Sequence, residues 1–345
     1  MRVGICGYPG SGKTTVFKAL APGARPGGRG LSLGSIKVPD ARVDRLAAIF
    51  DPRKTVFAEI VFADVSGAAG RGAGAFPPQV LEHMRGMDVL VNVVRAFDNP
   101  AAEQAADPAR DRRLFDDELV LLDLTVLERR AERWRKENRK GMDVQVNERC
   151  MAWLGEGKPL RGLPLDEAER ETLQGVNLLS QRPLIALHNL SEALWDDPAQ
   201  AELRGLSELG PAAFSMGICA QLEAELNELE PAERAEMLAG LGIAEPARDL
   251  FVRTAYRLLD LISFLTFGPD ECRAWPIRRG TVARKAAGKV HSDIERGFIR
   301  AEVSRLEDLE QHRSEAALRA AGKTRLEGQD YVVQDGDLIV YRFNV

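Results

Sequence analysis

The sequence predicts an α/β protein built on a mostly parallel sheet, with a small α+β module at its end. Two observations carry the first part. Short apolar runs alternate with helical segments, the rhythm of strand–helix–strand units. A glycine-rich loop stands between the first strand and the first helix, where a phosphate-wrapping turn belongs. A third observation carries the second part: from residue 262 onward, strands and a short helix follow in a different order. At 345 residues and about 150 per domain, two or three domains are expected.

Residues 2–6 read as an apolar strand and 14–20 as a helix. Residues 22–34 are rich in glycine and proline, which predicts a mobile loop. Residues 36–38 read as a strand. Residues 41–50 place Val43, Leu46, Ala47 and Phe50 on one helical face. Residues 60–63 form a strand that ends at Asp64, and a second glycine-rich loop runs over 67–74. A helix over 79–85 leads to a strand over 89–94. From 117 to 140 neither Gly nor Pro interrupts a helix, which Gly141 breaks. A second helix covers 144–154, and 155–164 is loop. Asp166 then reads as an N-cap, with Glu169 three residues on. A strand over 183–187 and a helix over 223–240 follow. The last part carries a strand over 262–267, a helix over 282–291, and a terminal strand over 337–343 entered through the turn at Asp335-Gly336.

Basic and acidic residues nearly balance, 47 against 52, for a net charge of −5. That argues against a general nucleic-acid coat and against a protein spread on a membrane surface. The apolar runs are far shorter than the roughly 20 residues of a spanning helix. No signal-peptide stretch opens the chain. Cys6, Cys150, Cys219 and Cys272 are widely spaced and read as reduced thiols, so the cytoplasm is the expected location. His83, His188, His291 and His312 show no metal spacing.

The run Gly7-Tyr8-Pro9-Gly10-Ser11-Gly12-Lys13-Thr14, followed by Thr15, fits G-x-x-x-x-G-K-[ST] in full. Its backbone N–H groups can wrap a phosphate, and the helix behind it adds partial positive charge. Lys13 is expected to reach the β- and γ-phosphates and to act in catalysis. The Thr14 hydroxyl is expected to ligate Mg2+. Asp64-Val65-Ser66-Gly67 matches D-x-x-G. Asp64 there can hold Mg2+, and the Gly67 N–H can meet a γ-phosphate. Asn189-Leu190-Ser191-Glu192 stands where GTPases carry N-K-x-D, with Leu190 at the lysine and Glu192 at the acid. Asn189 and Glu192 are the base-reading candidates; a plain loop is the alternative.

Ala68 occupies the position of a water-orienting Gln and cannot serve. His83 reads as structural or exposed rather than as a water positioner. Turnover is expected to be slow, resting on Mg2+, Lys13 and backbone donors. The basic run from Arg129 to Lys140 has two readings: an arm that touches rRNA phosphates, or a solvated face in which Glu128, Glu132 and Glu137 balance the charge. Trp134 stacks on a base or merely packs. His291 either meets an outside partner or hydrogen-bonds at a helix end, and the latter is favoured. Cys6 reads as a small core residue.

Taken in order, these stretches resemble the YchF family of Obg-related P-loop NTPases. The resemblance includes Val38-Pro39-Asp40-Ala41-Arg42, Arg85-Gly86-Met87-Asp88 and Val93-Val94-Arg95-Ala96-Phe97. It is strongest over Arg273-Ala274-Trp275, residues 286–301, Glu327-Gly328-Gln329-Asp330-Tyr331 and 335–345, which look like the family's TGS module. It implies a Ras-like G domain, an α-helical coiled-coil insertion and a ubiquitin-like (β-grasp) TGS domain. The boundaries expected are 1–100 and 181–260 for the G domain, 101–180 for the insertion and 261–345 for the TGS-like domain. It further implies ATP preferred over GTP through N-x-x-E, slow hydrolysis and a ribosome or rRNA partner. A monomer with no DNA or membrane partner is expected. The chain departs from the family in three places. Residues 22–34 lack the switch I threonine, leaving Ser32 and Ser35 as the nearby hydroxyls; the insertion is short; and the loop over 67–76 is short and Ala-Gly rich. Two rivals remain: a pseudo-NTPase that binds without turnover, and a small-molecule kinase with a similar loop.

Overall fold

In a computed structural model of the chain, residues 2–26, 31–65, 76–100, 102, 104–196, 205–243 and 245–344 are described. β1 (Arg2–Cys6) is buried over all but its first residue. The glycine loop turns it into α1 (Lys13–Leu20), which buries Val16, Phe17, Ala19 and Leu20. β2 (Arg25–Pro26) and β3 (Leu31–Lys37) pair antiparallel, Arg25 opposite Leu33. Within the loop expected over 22–34, residues 25–26 and 31–34 form these strands, while residues 27–30 lie outside the described residues. Gly34 is there for close approach: a Cβ on it would lie 2.6 Å from that of Ala21.

α2 (Ala41–Phe50) is capped by Asp40, whose carboxylate accepts from the Arg42 N–H. β4 (Lys54–Val56), β5 (Glu59–Val65), α3 (Pro78–Arg85) and β6 (Val89–Ala96) follow. α4 (Pro108–Lys136) starts earlier than the sequence reading had it, because Asp107 caps it and Pro108 fits its first turn. α5 (Met142–Gly155) runs back from Gly141. α6 (Glu167–Thr172) opens on the expected capping box of Asp166 and Glu169. β7 (Leu184–Leu190) is buried throughout, and α7 (Glu192–Asp196) starts directly beyond it. β8 (Ser207–Gly210) and β9 (Ala213–Ile218) were not foreseen. The single helix read over 223–240 is two, α8 (Ala220–Glu228) and α9 (Pro231–Gly240), because Pro231 ends one and opens the next. α10 (Ala247–Leu258) and β10 (Leu261–Thr266) come next. They are followed by β11 (Glu271–Arg278), α11 (Ala283–Val290) and α12 (Ser292–Arg296). The chain closes with β12 (Phe298–Ser304), α13 (Leu306–His312), α14 (Glu315–Ala320), β13 (Arg325–Glu327) and β14 (Leu338–Phe343).

Among the described residues two sheets form. The first has eight strands in the order β2-β3-β5-β1-β6-β7-β9-β8. Its centre is parallel: β1 pairs β5 and β6, and β7 pairs β6 and β9, all in parallel. The second has six strands in the order β13-β12-β14-β10-β11-β4, with β10 antiparallel to β11 and parallel to β14.

The chain divides into two compact units, residues 1–36 with 61–258, and residues 37–60 with 259–345. This differs from the sequence boundaries in two ways. Residues 37–60, placed there with the first domain, join the second unit. β4 pairs with β11, Lys54 opposite Glu271, and Arg42 of α2 binds Asp335 at 3.0 Å. Residues 101–180, read as a separate insertion, group with the first unit. The physical reason is α4: its early residues Phe115 and Leu119 share one core with Tyr8, Met84, Leu90 and Leu184. Its later Leu127 packs with Cys150, Leu154 and Leu173 in a satellite core. The second unit has its own core around Phe264, Ile277, Ala286, Val303 and Ile339. Each fully buried Val, Leu, Ile or Phe side chain stabilises by about 1.5–3 kcal/mol.

Candidate nucleotide site

The parallel centre of the first sheet aims several strand ends at one edge, the place where open α/β sheets bind ligands. β1 delivers the loop 7–12. Cys6 is fully buried beneath it, and burial pushes its thiol up to about 12, so it stays protonated and serves as core. Tyr8 gives the loop only its backbone. Its ring is buried and stacked on Phe76, with centroids 6.2 Å apart. The Tyr8 carbonyl accepts from the Ser11 N–H at 3.3 Å and from Lys13 Nζ at 3.0 Å. Pro9, Gly10, Thr14 and Thr15 lie exposed along the rim, while Ser11 is buried with its Oγ lacking a partner. Gly12 is required twice over. Its φ is +82°, and a Cβ there would fall 2.3 Å from Asn189 Nδ2.

Asp64 arrives on β5, buried, and its Oδ2 accepts from the Thr14 hydroxyl at 3.5 Å. Its Oδ1 is buried without a hydrogen-bond partner. An orphaned buried acceptor costs about 1–3 kcal/mol. A hydroxyl beside such an oxygen is the donor set of a hard cation shared with phosphate oxygens, so the residues fit Mg2+. Among the described residues no group of three or more His, Cys, Asp or Glu could hold a metal. Burial lowers the Lys13 ammonium below its ordinary value, while Asp64 and Cys6 work against that shift. Gly67 lies outside the described residues. His83 sits half-buried in the last turn of α3.

Next to the loop is a pocket of about 450 Å³ whose walls include Gly12, Thr15, Phe97, Asn189, Leu190 and Glu192. Glu192 is exposed at the start of α7. Asn189 is buried at the end of β7, and its amide is a brace. Nδ2 donates to the Ser11 carbonyl at 3.1 Å, and Oδ1 accepts from the Ala220 N–H at 3.4 Å. It ties the phosphate loop to the start of α8 and keeps a second N–H free for a ligand. Sequence reasoning missed the pocket's other walls, Phe97 and Cys219-Ala220-Gln221. Phe97 directly follows β6, and Cys219 directly follows the unforeseen β9. Their position at strand ends was the available signal.

Two further candidates resolve by packing. His291 caps α12, its Nδ1 accepting from the Asp293 N–H at 3.2 Å. Trp134 is buried, with the guanidinium groups of Arg130 and Arg139 stacked over its ring, 4.1 and 4.9 Å from the ring centre. It packs, and offers no free face to a base.

Residues 261–344 match the family model YchF-GTPase_C, described as a protein of unknown function. Over 362 aligned residues the chain is 35% identical to the ribosome-binding ATPase YchF of Haemophilus ducreyi, covering 100% of this chain and 99% of that one. The ribosome-binding ATPase YchF of Bacillus subtilis is also 35% identical, over the full length of both. The solved Schizosaccharomyces pombe YchF GTPase superposes with a TM-score of 0.87 at 28% identity, covering 99% of this chain and 97% of that one. With a complete phosphate loop, an Asp64–Thr14 pair and likeness along its whole length, the chain belongs to the YchF family.

Proposed function

We propose that the chain binds Mg-ATP in preference to Mg-GTP and hydrolyses it slowly. The single observation that carries this is the Thr14–Asp64 pair beside Lys13, with an orphaned Asp64 Oδ1 and the base pocket adjoining. In this reading the backbone of residues 7–13 and the start of α1 hold the phosphates. Thr14 and Asp64 hold Mg2+, which when bound neutralises charge on the transferring phosphoryl group. Lys13 lies within reach of the same charge, and Gly67 supplies an N–H to the terminal phosphate. Phe97 and Leu190 give the base an apolar slot, Asn189 fixes that slot against the loop, and Glu192 sets which base is accepted.

Slow turnover is supported by residue types. Ala68 cannot orient water, and residues 22–34 hold no threonine; Ser32 there pairs opposite Pro26. That same feature favours the second reading, binding without turnover. Phosphate release above a Lys13→Ala control separates the two; release equal to the control leaves only binding. A ribosome-associated protein is the wider proposal, supported by the names of the relatives, which are called ribosome-binding ATPases; a cytoplasmic location and a monomeric state are proposed with it. Among the described residues no helix is long and apolar enough to cross a membrane. Sedimentation with ribosomes on a sucrose gradient, with and without a non-hydrolysable ATP analogue, tests it. Protein that stays in the light fractions in both cases contradicts it.

A further inference from the structure

The late part of α4 carries Val126, Arg129, Arg130 and Arg133 on one helical face, at the three- and four-residue spacing of a single stripe. That face and the turn holding Gln174 and Gly175, beyond α6, wall a pocket of about 560 Å³. Three guanidinium groups therefore line one cavity. Just beyond the end of this helix the basic run is offset: Arg139 pairs with Asp143 of α5. Among the described residues, Arg129, Arg130 and Arg133 form no ion pair with a carboxylate. Glu128, Glu132 and Glu137 do not pair with them, and Arg129 and Arg133 lie exposed to solvent.

Arg130 is held in place. Its Nη2 donates to the Thr172 carbonyl at 2.9 Å, and its plane lies over Trp134. Its Nη1 is buried without a partner. Burial pulls the group below its ordinary value, the Asp143 carboxylate opposes that shift, and Arg139 and Arg133 add to it. Like charges three and four residues apart on a helix destabilise it by a few tenths of a kcal/mol per pair. A planar, held guanidinium with two exposed neighbours is an arrangement suited to binding phosphate oxygens in pairs.

We propose that this pocket is a second anion site, separate from the glycine loop, that takes the phosphate oxygens of a ligand carrying several negative charges on adjacent phosphates. Arg130 is its fixed floor, and Arg129 and Arg133 are the exposed arms that close on the ligand. The same chemistry reaches the pocket from a free polyphosphate or from an RNA backbone.

The test is calorimetric titration of the full chain with inorganic pyrophosphate, on wild type, Lys13→Ala and Arg129→Gln/Arg133→Gln. Lys13→Ala removes the glycine loop as a competing site, and the exposed Arg pair leaves the fold intact. Binding kept in Lys13→Ala and weakened at least tenfold in the double variant is expected, together with unchanged nucleotide hydrolysis in the double variant. A short 5′-hydroxyl RNA, titrated in the same three proteins, separates the sources. RNA that binds and displaces pyrophosphate points to a phosphodiester backbone, and pyrophosphate alone points to a free polyphosphate. Pyrophosphate binding that disappears with Lys13→Ala, or that the double variant retains in full, overturns the proposal, as does the absence of binding by either ligand.

Discussion

Asn189 carries more than one duty. A base-reading motif asks its amide to face the ligand, yet both its ends hold protein: the Ser11 carbonyl and the Ala220 N–H. Gly12 lies against it: a Cβ there would meet Asn189 Nδ2 at 2.3 Å. Gly12→Ala should therefore displace the brace and cost more than tenfold in nucleotide affinity, read by equilibrium titration. Lys13→Ala should lower turnover by roughly 10²-fold or more, the scale of losing one charge-stabilising donor. Cys6, Cys150, Cys219 and Cys272 are all buried and free. They should react with a thiol reagent only after denaturation; rapid native labelling would contradict the burial. The residue scale was the most legible in the sequence. The loop 7–14 is a short-range pattern whose geometry is local, so spacing alone reveals it. Asn189 as a brace was hidden because Ser11, its partner, lies far away in the chain.

The elements show where local pattern suffices and where it does not. The capping box at Asp166 and Glu169 and the bounds of α2 followed from neighbouring residues. β9 did not, because Ser215 and Gly217 interrupt its apolar run, and its burial comes from β7 beside it. α4 was read short because Asp107 and Pro108 act only as a start signal once the helix is known. Two element-level groups make testable statements. Asp123 of α4 is buried and accepts from the Leu179 and Ser180 N–H groups at 2.8 and 2.7 Å. Asp123→Ala leaves both donors unpaired and should cost about 3 kcal/mol in a denaturant titration. His188 of β7 lies 2.9 Å from Ser215 Oγ on β9, and burial lowers its pKa from 6.5 to about 4, with Arg112 adding to the shift. A folded value below the unfolded one means that folding selects the neutral ring. That stability is present above pH 6.5 and is lost as pH falls toward 4, by up to about 3 kcal/mol. Unfolding midpoints measured between pH 7 and 4.5 should show that loss in wild type and much less of it in His188→Gln.

At the scale of the molecule, two units each carry a core of their own. The sequence distinguished a first and a last part but could not assign residues 37–60. Their place depends on β4 pairing with β11 and on Arg42 meeting Asp335, contacts between segments more than two hundred residues apart. Two cores predict calorimetric unfolding that departs from a two-state transition. Nucleotide at a hundred times its dissociation constant should raise only the transition of the unit bearing the glycine loop, by about 2.7 kcal/mol.

The most direct test of the central claim is equilibrium binding of non-hydrolysable ATP and GTP analogues with Mg2+, on wild type and on Glu192→Asp. Clear preference for the adenine analogue, reduced in Glu192→Asp, is the expected result. Preference for the guanine analogue, or no binding of either, would contradict the assignment of this site as an adenine-reading nucleotide pocket.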